Sequence, residues 1–135
     1  MVYFLSKALA RSGNETHLAK LRPSVRNEFR KFLNDIINFG YTPVIRDSTR
    51  TRKQQAYYKR IDKRNASPGY STHEKGTGID LDIYRDGKLL LSKNTPFQYW
   101  IISGIPNLAK NKYKMRWGGN FKNYPDNNHF DFLTA

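Results

Sequence analysis

From residue 23 to 39 the apolar side chains fall at Val25, Phe29, Phe32, Leu33, Ile36 and Ile37, with Arg26, Arg30, Lys31 and Asp35 between them. Recurrence at three- and four-residue steps predicts an amphipathic helix, with Pro23 in its first turn and Gly40 at its C-terminal end. Such a helix needs a sheet to cover. A period of two governs residues 78–83, where Ile79, Leu81 and Ile83 alternate with Asp80 and Asp82. The same alternation returns in residues 126–132, with Phe130 and Phe132 against His129 and Asp131. Residues 41–47 read as a short strand, Pro43 marking an edge or a strand start. Thr51-x-x-Gln54 is a capping-box pattern opening a helix through Ala56, Tyr57, Tyr58 and Ile61. Residues 59–70 are polar and turn-rich, predicting a mobile loop around Pro68-Gly69. Asp86-Gly87 signals a tight hairpin that returns residues 88–91 antiparallel. Thr95-Pro96 starts a helix whose expected buried side is Phe97, Trp100 and Ile101, interrupted at Gly104 and Pro106, and residues 113–117 read as a strand. The order predicts an α+β domain: a small, mainly antiparallel sheet with helices packed on one face.

The opposite face is where the chemistry lies. If the two alternating strands share a sheet with Ile79, Leu81, Phe130 and Phe132 in the core, Asp80 and His129 emerge together on the other side. His73, from the loop before the first of these strands, can fold over them. Two imidazoles and one carboxylate leave a fourth position open, as in catalytic zinc sites, whereas structural sites are closed by four protein ligands that usually include Cys. The chain has no Cys. A lone histidine is more often structural than a ligand, and His17, in a polar stretch, is read that way.

Ser71-x-His73-x-x-Gly76-x-Gly78-x-Asp80, then Trp117-Gly118-Gly119, then Asp126-x-x-His129 closely resembles the zinc D-Ala-D-Ala carboxypeptidases and L-alanyl-D-glutamate endopeptidases, a family that includes VanX- and VanY-like enzymes and phage endolysins. The resemblance runs from about Leu18 to the C-terminus. It implies the Hedgehog/D,D-peptidase-like fold, Zn2+ held by His73, Asp80 and His129, and Asp126 as general base. It also places Arg50, within Ser48-Thr49-Arg50-Thr51, at the active-site mouth on a substrate oxygen, with Arg46 and Arg52 as neighbouring candidates. Ser71 becomes a substrate hydrogen-bond donor and Trp117 a substrate contact, although Trp117 reads more readily as core. Asp82 and Asp131 are rival bases, but carboxylates two residues from a ligand more often orient ligand imidazoles. Many members carry Ala where this chain has Gly78, a change expected to leave the ligands untouched.

A chain of 135 residues is expected to form one domain, residues 1–17 being an N-terminal extension, and can bury roughly two thirds of its unfolded surface. Twenty-four Lys and Arg against eleven Asp and Glu give a formal charge of +13, which implies an anionic partner. Nucleic acid and a polyanionic cell envelope both qualify, and the resemblance favours the envelope over any specific nucleic acid. The apolar start at residues 2–5 is too short for a secretory signal, and no run is long enough to span a membrane. The expectation is therefore a monomer made in a cytoplasm and delivered to the bacterial wall by other factors or on a virion. The leading reading is a zinc endopeptidase cutting peptidoglycan stem peptides between L-Ala and D-Glu. A D-Ala-D-Ala carboxypeptidase or dipeptidase is the alternative within the class, and a non-catalytic basic binding module for nucleic acid or envelope polymer the alternative outside it.

Overall fold

The computed structural model describes residues 6–49, 51–62 and 72–133, excepting the side chains of Arg52 and Glu74. Helices α1 (Lys7–Leu18) and α2 (Pro23–Asn38) precede β1 (Thr42–Asp47) and α3 (Arg52–Ile61). A single turn, α4 (Thr72–Lys75), leads into β2 (Gly78–Arg85), and β3 (Lys88–Leu91) follows it. Next come α5 (Phe97–Ser103), α6 (Ile105–Tyr113), β4 (Arg116–Trp117), a 3-10 turn (Gly118–Asn120) and β5 (His129–Asp131).

The sheet runs β1-β2-β5-β4, every pair antiparallel. β2 is its centre. β1 lies along one side of it, while β5 pairs with its first residues and β3 with its last. Asp86 (φ 52°) and Gly87 (φ 79°) both adopt positive φ, the geometry of a two-residue hairpin turn that follows strand twist, so the β2–β3 hairpin forms as expected.

Alternation along β2 and β5 sorts the two faces. Ile79, Leu81, Ile83 and Phe130 are fully buried against Phe29, Phe32 and Ile36 of α2 and Ile105 and Ala109 of α6. Phe32 meets Phe130 at 5.3 Å between ring centres, and Phe29 meets Phe132 edge-on at 5.2 Å. α2 has no side-chain N-cap, yet Pro23 suits its first turn. The Arg26 guanidinium draws the preceding corner together by donating to the carbonyls of Leu18, Ala19 and Leu21 at 2.9–3.0 Å.

Three elements differ from expectation. The stretch read as an extension contains α1, whose buried Asn14 lies against β1: its amide nitrogen donates to Pro43 O and its oxygen accepts from Ile45 N, each at 2.8 Å. β1 is an edge strand, so these bonds satisfy backbone groups that no further strand reaches. In α5 only Trp100 of the expected buried trio is inside, while Phe97 and Ile101 are exposed. Thr95 does not cap that helix, since its hydroxyl accepts instead from Ser92 N. Residues 113–117 are not one strand either: α6 runs through Tyr113, Lys114 ends it at φ 60°, and only Arg116–Trp117 pair. Residues 63–70 of the expected loop lie outside the described residues.

Candidate metal centre

Register assembles the site. Ile79 pairs with Phe130 and Asp80 with His129, so the apolar pair points into the core and the polar pair stands side by side on the opposite face. His73 comes from α4, one tight turn before β2. Gly78 permits that approach, because a Cβ there would fall 2.4 Å from Thr72 Oγ1 and 3.1 Å from His129 Cε1. In this chain Thr72 fills the space that a methyl at this position would need, and His73, Asp80 and His129 still come together.

His73, Asp80 and His129 each offer one donor atom, all within 4.8 Å of one another. Asp80 Oδ1 lies 3.1 Å from His73 Nε2 and 2.9 Å from His129 Nδ1. The other ring nitrogens are already engaged. His73 Nδ1 donates to Ser48 O at 2.7 Å, which leaves Nε2 as the inward donor; His129 Nε2 meets Asp131 Oδ2 at 2.7 Å, which leaves Nδ1. Asp131 is in turn gripped by both ends of the Arg116 guanidinium at 2.8 Å and accepts from Thr72 Oγ1 at 3.0 Å. A carboxylate behind a ligand imidazole fixes its tautomer and raises its basicity. The inward set of two imidazole nitrogens and one carboxylate oxygen fits a divalent transition-metal ion with a coordination position to spare.

Without an ion these charges answer one another. Burial lowers the affinity of His129 for a proton, but hydrogen bonds and attraction from Asp131 and Asp80 reverse that and push its pKa up to about 10. Burial would raise Asp80, yet His73 and His129 hold it well below the usual carboxylate range. Asp131 is likewise raised by burial and pulled down further by His129 and Arg116, to about 2.

Asp126 sits beside this set on a loop that two glycines shape. Its backbone nitrogen donates to Gly118 O at 2.8 Å, and His129 N donates to Asp126 O at 3.1 Å. A Cβ on Gly118 would fall 2.1 Å from Asp126 O, so any side chain there would push the loop away. Asp126 Oδ1 is buried and has no hydrogen-bond partner among the described residues. Burial, then repulsion from Asp80, raises its pKa above the ordinary carboxylate value. A carboxylate kept ready for a proton, with a buried oxygen that no described residue engages, has the character of a base.

Asp82 lies on the same face but is directed to Arg46, 3.4 Å away, rather than to the ligand set. Trp117 is buried: its indole nitrogen donates to Asn127 O at 2.6 Å, its ring packs on Phe97 at 4.9 Å, and Gly119 leaves room beneath it. It braces the Asp126 loop from the core, in keeping with the core reading of this residue. Arg50 and Ser71 lie outside the described residues, as does the side chain of Arg52. His17 is structural in its contacts, with Nδ1 2.7 Å from Ser48 Oγ, the residue whose carbonyl holds His73. Ser48, Thr72 and Arg116 were not singled out as site residues from sequence. For Arg116 the signal was a cation paired in register with Asp131, legible only once β4 and β5 are known to be neighbours.

A family model described as D-alanyl-D-alanine carboxypeptidase matches residues 64–132. No curated protein sequence matches the chain. Among solved structures the L-Ala D-Glu endopeptidase ChiX of Serratia marcescens is similar, with a TM-score of 0.65 and 17% identity over 90% of this chain and 86% of that one. At that identity the likeness is one of fold, and it extends well beyond the family match.

Proposed function

The chain belongs to the D-alanyl-D-alanine carboxypeptidase family and is a metallopeptidase, and from that premise we propose a zinc-dependent peptidoglycan endopeptidase that cuts between L-Ala and D-Glu in stem peptides, as a phage-type endolysin does. The observation that carries it is the convergence of His73, Asp80 and His129 next to Asp126, whose buried Oδ1 has no hydrogen-bond partner among the described residues. Preference for the L-Ala-D-Glu bond draws on the fold likeness to ChiX, an L-Ala D-Glu endopeptidase. Membership of a peptidase family leaves no place for a purely non-catalytic basic module.

His73, Asp80 and His129 would hold the zinc ion, which when bound supplies Lewis acidity toward the scissile carbonyl and makes water acidic near neutral pH. Asp126 accepts the proton of the attacking water, a step its raised pKa favours, and then delivers it to the departing nitrogen. Asp131 and Arg116 keep the His129 ring in one orientation, and the Ser48 carbonyl does the same for His73. Arg50 and Ser71 are proposed to bind substrate at the mouth of the site. The substrate is a wall polymer, so the protein acts at the bacterial envelope.

Asp126→Ala should lower turnover on purified peptidoglycan roughly a hundred- to ten-thousandfold, the usual worth of a general base, while zinc stays bound at one ion per chain. Full turnover in that variant would remove Asp126 from the mechanism. Mass spectrometry of the wild-type digest identifies the bond: new N-terminal D-Glu is expected, and release of free D-Ala would instead establish the carboxypeptidase alternative.

A further inference from the structure

Between Asp86 and Asp126 the chain contains no acidic residue, while Lys88, Lys93, Lys110, Lys112, Lys114, Arg116 and Lys122 all fall there. Asp35 takes up Lys112 and Asp131 takes up Arg116. Among the described residues, the other five lysines form no ion pair. Helix α5 lies in this segment. It reads FQYWIIS and is apolar almost all round, a composition that normally means burial, yet only Trp100 is inside. Ile102 is 78% exposed and Tyr99 55%, and Leu89 and Leu90 of β3 are exposed as well. A groove of about 620 Å³ runs between the two elements, lined by Leu90, Pro96, Tyr99 and Ile102 among others.

Exposed apolar side chains gathered along a groove mark a docking site, and the exposed Lys88 and Lys93 at the two ends of β3, together with the net charge of +13, select the occupant. A second copy would set the exposed Lys88 and Lys93, at the two ends of β3, against their counterparts, each chain carrying +13. Nucleic acid or a wall polyanion would attract the lysines but offers nothing apolar for Leu90 and Ile102, which cannot stack on bases as aromatic side chains do. An anionic bilayer answers both features. Its headgroups attract lysine, tyrosine suits the interface, and aliphatic side chains enter the headgroup boundary to a depth of about 5–10 Å.

We propose that the face formed by α5 and β3 docks the protein peripherally on an anionic lipid bilayer. The face communicates with the catalytic loop: Thr95, which lines the groove, accepts a hydrogen bond at 2.9 Å from Asn127, the neighbour of Asp126. Docking through α5 therefore brings that loop near the lipid surface.

Co-sedimentation of the full chain with phosphatidylglycerol/phosphatidylcholine vesicles, and with phosphatidylcholine alone, tests this. Binding is expected on the anionic vesicles only. The double variant Leu90→Ser/Ile102→Ser should bind at least tenfold more weakly, whereas Ile37→Ser, an exposed apolar position on α2, should bind as wild type. Tyr99→Trp keeps the aliphatic residues, and its emission should shift to the blue on anionic vesicles, a readout that stands even if the double variant folds poorly. Binding that is unchanged in the double variant and wholly removed by salt would overturn the proposal in favour of simple polyanion adsorption. Vesicle-independent dimerisation lost in the double variant would overturn it in favour of a second copy, and absence of binding or of the blue shift would overturn it outright. None of these readouts requires turnover, so they stand or fall separately from the peptidase reading.

Discussion

His129 is held at both ring nitrogens by carboxylates, with Nδ1 2.9 Å from Asp80 and Nε2 2.7 Å from Asp131. In the metal-free protein its pKa of about 10 stands above the ordinary 6.5, so its charge contributes stability that is complete below about 6.5 and lost as pH rises through about 10. Asp131 and Asp80 are shifted down, so their contribution is present above the ordinary carboxylate range and lost as pH falls through their lower folded values. A metal ion and a proton compete for the same Nδ1, so the stability that an ion adds should grow with pH. Chelated protein is therefore expected to lose Tm between about pH 7 and pH 10 relative to Asp131→Asn, while zinc-loaded protein gains over chelated protein across the same interval. Thermal melts with and without chelator measure this, and parallel curves for chelated wild type and Asp131→Asn would refute the charge arrangement. The three inward side chains were legible in sequence because strand alternation and short spacing dictate where they point. Ser48, 25 residues before His73, and Arg116, 15 before Asp131, were not, because their contacts depend on which segments become neighbours.

At the level of elements, legibility follows how local the signal is. The α2 stripe, the Thr51/Gln54 capping box and the Asp86-Gly87 hairpin each depend on residues within a few positions, and all three form. α1 was missed because its buried side contains only Ala10, Asn14 and Leu18, one of them polar, which leaves no apolar stripe. Asn14 is buried for its hydrogen bonds to the edge of β1, a purpose that hydrophobic periodicity cannot register. α5 was misread for the opposite reason: an apolar helix gives no sign in sequence of which side stays exposed. Asn14→Ala would strand Pro43 O and Ile45 N at a covered edge, and leaving buried backbone groups unpaired costs about 1–3 kcal/mol. Urea unfolding should show a loss of that size with an unchanged m-value, and a loss below about 0.5 kcal/mol would mean that water reaches β1 beneath α1.

For the whole molecule, charge and fold are separate statements. The helix-and-sheet order predicted the α+β architecture, whereas the +13 charge says nothing about topology and speaks only to what the surface attracts. Most of that charge is exposed lysine and arginine, and the ligand set itself contributes one carboxylate and two imidazoles behind a well-paired Asp131 and Arg116. Attraction to an anionic wall should therefore be long-range and screenable, while the chemistry within the site is short-range and shielded. The screening length falls from about 10 Å at 0.1 M salt to about 3 Å at 1 M. Turnover of intact peptidoglycan is thus expected to drop steeply between those salt concentrations, mainly through KM, while turnover of a short soluble stem peptide changes little. Equal salt sensitivity on the two substrates would place the effect inside the active site and deny the basic surface a part in reaching the wall.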